Sequence, residues 1–414
     1  MTRSEELVHR LCTKTFLSVW SYPNPKGKKG KELCDILVVC EPDIIVFSVK
    51  EVAFKETGDE VGWERWRKKA IEESCSQISG AERWILANPG CITHDGRAGL
   101  PFPTSNRAVH RIAVALGSEG KVPMTFGDFG KGFVHVLDEE SLCILMNELD
   151  TISDFVKYLV DKEAFYRAGT LTLFDGGGEE DLLAFYLTNG RRFPEKADLI
   201  VLDDDLWKTF NKDPKVHAKR KLDEVSYVWD EIVEELHQTY LDSNFITDLP
   251  HISHKLTDLE KAMRVMAREN RFSRRLLSIS LVDFLQNSRA QRTKSRLTDS
   301  SVLDARYVFL ISDYDSNRKA NLGELVGRCI VARGLSRTKT KVIGLGVEFS
   351  KKVEGSATSV CYLEITEWTA EWQEKMDYQQ REFGYFVKPQ AKGLSEHEYP
   401  DEDNELAPRN AQER

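Results

Sequence analysis

Two charged side chains, Asp35 and Lys50, border a strongly apolar stretch near the N-terminus. Asp35 directly precedes the apolar run 36–40, and Lys50 follows a second apolar run, 44–47, by three residues. An unpaired charge at a buried strand end costs several kcal/mol, so its presence indicates a specific task. A carboxylate can bind a divalent cation and a lysine can position an attacking water, so the pair indicates metal-assisted hydrolysis.

A strand hairpin must position these two groups. Both runs are rich in β-branched residues, which predicts two strands buried on both faces, and Glu41-Pro42-Asp43 between them is typical of a turn. Side chains alternate along a strand, so Ser48 and Lys50 share a face. Pairing of the two strands can bring Asp35 to that same face.

An aspartate followed about fifteen residues later by a strand-end lysine resembles the PD-(D/E)XK nuclease superfamily. Its motif is Asp, a variable gap, then Glu/Asp-X-Lys. The second part here is Ser48-Val49-Lys50, in which serine occupies the acidic position. The resemblance implies an α/β, restriction-endonuclease-like mixed-sheet core flanked by helices. It also implies Mg²⁺ or Mn²⁺ as cofactor and hydrolysis of nucleic acid, with DNA as the expected substrate.

The resemblance also implies roles for individual residues. Asp35 would bind the metal together with the backbone carbonyl of Val49, and Lys50 would position the water. Glu6 matches the helix-1 glutamate of many members and would be a further metal ligand. Gln77 matches a polar residue on the helix after the lysine strand that points at the site.

Alternatives to these roles remain open from the residues alone. Glu6 could form a surface pair with Arg10, and Gln77 could be a buried amide satisfied by the sheet backbone. The missing carboxylate could come from another element, with Glu32 and Glu51 as possibilities beside Glu6.

The loop 20–31 contains four lysines with aromatic residues before them. Lysines suit phosphate contact and aromatic rings suit base stacking, so we predict a nucleic-acid contact; a merely solvated loop is the alternative. The four lysines are Lys26, Lys28, Lys29 and Lys31.

Helical spacing of apolar residues predicts helices over 3–19 and 63–86, and strands are predicted over 108–116 and 132–137. The order of elements predicts a nuclease-like domain over 1–165. A second α/β or α+β domain of unknown role, which could bind a protein partner, is predicted over 166–385. The acidic residues 386–414 predict a disordered tail.

The 414 residues have a formal net charge of −9, which argues against a broadly basic nucleic-acid coat but not against a local basic groove. The eight cysteines include no Cys-x-x-Cys pair, and no apolar run is long enough to span a membrane. These features predict a cytoplasmic protein with no membrane partner. The first hypothesis is a metal-dependent nuclease. The chain also resembles bacterial proteins of unknown function that carry such a region at the N-terminus and often act in defence against foreign DNA. The alternative is an inactive nuclease-fold module that binds nucleic acid or a protein.

Overall fold

A computed structural model describes residues 1–54, 60–118, 125–175, 177–195, 198–203, 205–241, 256–288, 294–313, 318–349, 356–387 and 396–400. The chain divides into two compact units, 1–216 and 217–414. The predicted domain boundary at 165 lies inside the first of these units. Apart from residues 386–387 and 396–400, the predicted disordered tail falls outside the described residues.

The first unit is built from a mixed sheet and flanking helices. Its helices are α1 (Arg3–Phe16), α2 (Glu60–Arg67), α3 (Glu73–Ala87), α4 (Glu139–Glu148), α5 (Ile152–Arg167), α6 (Glu179–Thr188) and α7 (Leu206–Lys212). Its strands are β1 (Ser21–Pro23), β2 (Ile36–Cys40), β3 (Asp43–Glu51), β4 (Ala108–Leu116), β5 (Phe126–Asp128), β6 (Phe133–Leu137), β7 (Leu171–Asp175) and β8 (Leu199–Asp203). The predicted α/β class with a mixed, helix-flanked sheet is therefore confirmed.

The main sheet has the strand order β1-β2-β3-β4-β6-β5. The predicted hairpin is present: β2 and β3 are antiparallel, with Ile36 opposite Phe47. β3 then pairs with β4 in parallel, and Lys50 lies opposite Ala115. All five residues of β2 are buried, as their β-branched, apolar composition requires.

The two helices that flank the hairpin differ in detail from the predicted ones. α1 begins at Arg3, with Thr2 as N-cap in a capping box with Glu5, and ends at Phe16 rather than residue 19. The predicted helix 63–86 is interrupted by a π turn, Lys68–Glu72, between α2 and α3. Such turns insert one extra residue into a helix and occur often at functional sites.

A small parallel sheet of β7 and β8 follows α5, and β7 was not predicted. The cross-strand pairs Leu171–Leu199 and Leu173–Val201 have side chains that are about half exposed. These four aliphatic side chains share one face of the sheet because they alternate with the residues between them.

The second unit is a four-stranded sheet with helices. Its helices are α9 (Tyr227–Leu241), α10 (Leu256–Ala267), α11 (Arg271–Asn287), α12 (Arg318–Gly334) and α13 (Ala370–Phe383), preceded by α8 (Pro214–Asp223), in which the division between the units falls. Its strands are β9 (Lys294–Asp299), β10 (Ala305–Asp313), β11 (Lys341–Phe349) and β12 (Ser356–Glu364), in the order β12-β11-β10-β9. β11 and β12 are antiparallel neighbours, with Lys341 opposite Glu364.

Among the described residues, no helix combines the length and the apolar composition that a membrane span would need.

The packing of α12 on β11 leaves room only for hydrogen at one glycine. A Cβ atom on Gly344 would lie 2.7 Å from Cys329 Sγ and 2.9 Å from Leu325 Cδ1, whereas a Cβ on Gly346 would meet nothing closer than 3.4 Å. We therefore expect Gly344→Ala to lower the free energy of unfolding by about 1–3 kcal/mol because the core is overpacked. Gly346→Ala, on the same face of the same strand, is the matched control. Urea denaturation of both variants measures the difference, and equal stabilities would contradict this packing.

Candidate functional site

The site begins where the ladder between β2 and β3 ends. Continuing the register by one residue places Asp35 opposite Ser48. The next amide of β3 is bonded to a side chain rather than to backbone: Val49 N donates to Asp35 Oδ2. Asp35 is only 4% exposed, so its carboxylate is a buried part of the sheet edge.

Gln77 of α3 reaches this carboxylate and is itself fixed by Ser48. The Ser48 hydroxyl donates to Gln77 Oε1 at 2.8 Å, and Gln77 Nε2 donates to Asp35 Oδ1 at 3.2 Å. Because the amide oxygen is occupied by Ser48, the amide nitrogen faces Asp35. Ser48 is fully buried, and in the position of the motif's acid it orients the glutamine.

Lys50 lies next to this cluster. It is half-buried and shares a face of β3 with Ser48. Its positive charge lowers the pKa of Asp35. The structure thus brings Asp35, Lys50 and Gln77 together at one edge of the sheet.

Burial raises the pKa of Asp35 to about 6. The Val49 amide, Lys50 and Gln77 act in the opposite direction, and an interaction with the Glu32 carboxyl group raises the pKa further. A buried carboxyl group that titrates near neutral pH is typical of functional sites.

The second carboxyl group beside Asp35 is therefore that of Glu32, one of the three predicted possibilities. Glu51 accepts a hydrogen bond from Ser4 of α1, and Glu6 is exposed on α1. Neither is among the main causes of the pKa shift of Asp35, whereas Glu32 is. The sequence offered Glu32 only as an alternative, because no spacing rule connects a loop glutamate to the strand after it.

The oxygen atoms at this edge suit a hard cation. The N–H and C=O of one strand residue point to the same side, so the Val49 carbonyl lies on the side of β3 where its amide meets Asp35. Mg²⁺ commonly takes one or two carboxylates and completes its shell with water and substrate oxygens. Among the described residues, no group of three His, Cys, Asp or Glu side chains completes an all-protein site. Asp35, Glu32 and the Val49 carbonyl fit Mg²⁺ or Mn²⁺ in this way.

The segment 20–31, here called the lysine loop, lies four residues before Asp35 in the chain. Gly27 N donates to Lys31 O at 2.8 Å, and Asn24 N donates to Asp35 O at 2.8 Å, which fixes both ends of the loop. Lys29 adopts a left-handed conformation with φ of 55°, which costs a lysine about 1–2 kcal/mol. Lys26, Lys29 and Lys31 are exposed, while the side chain of Lys28 lies outside the described part.

Comparison of the chain with models of protein families, with curated proteins and with solved structures finds no match. The interpretation of the site therefore depends on its own geometry and electrostatics.

The raised pKa of Asp35 predicts that the free energy of unfolding depends on pH. An aspartate in the unfolded chain titrates near 3.8, so the folded protein binds this proton more tightly, and stability is lost as the pH rises from about 4 through about 6. We expect Asp35→Asn to raise the free energy of unfolding at pH 7 by on the order of 2 kcal/mol and to change it little at pH 4. Urea denaturation at the two pH values measures this. The matched control is Asp198→Asn, at an exposed position, which should alter stability at neither pH.

The buried serine makes a second prediction. Ser48→Asp introduces a carboxylate at this position and places a second negative charge beside Asp35, so we expect the metal-free protein to lose about 2–4 kcal/mol of stability. Millimolar Mn²⁺ should raise the melting temperature of this variant by more than that of the wild type. Ser48→Ala removes the bond to Gln77 without adding a ligand and should show no such gain. Equal metal responses of all three proteins would argue against a cation at this edge.

Proposed function

We propose that the chain is a metal-dependent nuclease whose first unit has a restriction-endonuclease-like core. The observation that supports this most strongly is the buried carboxylate of Asp35, with a pKa near 6, beside Lys50 and Gln77. The element order gives further support: α1 precedes an antiparallel hairpin, and the helical segment after it leads to β4, parallel to β3.

Each residue has a distinct task in this proposal. Asp35, Glu32 and the Val49 carbonyl would hold Mg²⁺, and a bound ion would supply Lewis-acid activation of water and charge neutralisation at the phosphate. Lys50 orients the water through its ammonium group. Gln77 holds the Asp35 carboxylate in place, and Ser48 holds Gln77. Glu6 is exposed on α1, and we assign it no contact with the metal.

The lysine loop is proposed to bind the phosphates of the substrate. Three exposed lysines lie on the segment that leads into Asp35, which suits contact with the backbone of DNA near the hydrolysed bond. Two backbone hydrogen bonds, Gly27 N to Lys31 O and Asn24 N to Asp35 O, hold this segment beside Asp35.

One observation favours a second function. Ser48 is fully buried and satisfied by Gln77, so the place of the motif's acid is filled without a metal ligand. In this alternative the unit is an inactive nuclease fold, and the lysine loop binds nucleic acid or a protein without hydrolysis.

Cleavage of supercoiled plasmid distinguishes the two functions. We expect the wild type to nick it with Mg²⁺ or Mn²⁺, and Asp35→Ala and Lys50→Ala to lower the rate at least about 100-fold, as loss of a group acting directly in the chemistry does. Asp198→Ala and Lys157→Ala, at exposed positions of the same unit, are the matched controls and should leave the rate unchanged.

The binding arm of this experiment uses the double variant Lys29→Ala/Lys31→Ala. We expect it to bind DNA more weakly and with a smaller dependence on salt, because fewer counterions are released. DNA binding that needs these lysines, without cleavage of plasmid, single strands or RNA, would favour the inactive module. Cleavage that survives both Asp35→Ala and Lys50→Ala would exclude this site.

A further inference from the structure

In the second unit, a short segment after α13 lies against α8 and α11. This segment is Glu396-His397-Glu398-Tyr399-Pro400. Arg275 of α11 contacts it through its guanidinium group: Nη2 donates to His397 O at 2.7 Å and to Glu398 O at 3.2 Å. Arg275 has no solvent exposure in this arrangement.

The residues that hold the segment, Lys219, Asp223, Phe272 and Arg275, form a cradle whose members also contact one another. Asp223 of α8 accepts from Arg275 Nη1 at 3.1 Å and from Lys219 Nζ at 2.7 Å, so one carboxylate positions both cations. The Arg275 guanidinium also lies over the Phe272 ring, 4.7 Å from its centroid. These contacts within the second unit hold the long side chains of Arg275 and Lys219, and such preorganisation lowers the entropic cost of binding.

Side chains of the segment complement this cradle. Glu396 Oε2 lies 3.6 Å from Arg275 Nε, and Lys219 Nζ lies 5.9 Å from the centroid of the Tyr399 ring. The cradle therefore meets two backbone carbonyls, one carboxylate and one aromatic ring. Binding of backbone carbonyls together with one acidic and one aromatic side chain is characteristic of peptide recognition.

We propose that Lys219, Asp223, Phe272 and Arg275 form a docking site for a short acidic peptide with the pattern Glu-x-x-Tyr-Pro. In the isolated chain the site is occupied by residues 396–400. Eight residues, 388–395, separate this segment from the last described residue before it, Val387. A short connection gives an effective concentration on the order of millimolar, so even modest intrinsic affinity keeps the site filled from within.

The test uses a fluorescent peptide of residues 394–403 and fluorescence anisotropy. One protein is the full-length wild type, and the other is the full-length chain with 396–400 replaced by Gly-Ser-Gly-Ser-Gly. Because the internal segment competes, we expect the peptide to bind the replaced chain at least tenfold more tightly than the wild type. Matching far-UV circular dichroism spectra of the two proteins show that the replacement leaves the fold intact.

The controls are made in the peptide, so that folding of the protein is not affected. Glu396→Gln tests the charge opposite Arg275, and Tyr399→Leu tests the ring opposite Lys219; each should weaken binding severalfold. The proposal is overturned if the replaced chain does not bind the peptide, if it binds no more tightly than the wild type, or if a scrambled peptide binds equally well. DNA cleavage plays no part in this readout, so the result is independent of the function proposed for the first unit.

Discussion

The architecture of the first unit depends on how the ladder between β2 and β3 ends. At this point a carboxylate takes the place of a backbone carbonyl as the acceptor for the Val49 amide. That exchange keeps the amide satisfied, and it also keeps Asp35 in the sheet, where burial weakens its acidity. The same hydrogen bond thus completes the end of the sheet and holds the Asp35 carboxylate in its buried position. The site therefore depends directly on the structure of this sheet edge.

Buried arginines provide a comparable constraint in the second unit. Arg271 and Arg274 of α11 share Asp230 of α9, and Arg274 also donates to the carbonyl of Glu269. Such groups need complete sets of partners because an unpaired charge in the interior is strongly destabilising. Arg275, one position further on, instead finds two of its acceptors in a segment more than a hundred residues away in the chain.

The hairpin and its two flanking charges could be predicted from the sequence, because two β-branched runs around a Pro-containing turn have few other solutions. The mixed sheet could be predicted because a helix connects the antiparallel hairpin to β4. Such a connection allows β4 to run parallel to β3. The role of Ser48 could not be predicted, because it depends on a glutamine 29 residues later in the chain. Glu32 approaches Asp35 through the fold of the lysine loop, which no spacing rule describes.

The π turn between α2 and α3 determines which side chains of α3 are buried and which face the site. A continuous α-helix would extend the buried stripe of Trp66 and Ala70 toward Glu73 and Gln77, by its spacing of 3.6 residues. The inserted residue rotates the stripe by about 100°, so that Ser74 and Ile78 are buried instead. Gln77 is thereby left at the margin of the stripe, within reach of Ser48 and Asp35, while Trp66 still donates to Val52 O at 2.8 Å. One additional residue in a helix thus lets its first half anchor the end of β3 and its second half present a polar group to the same strand.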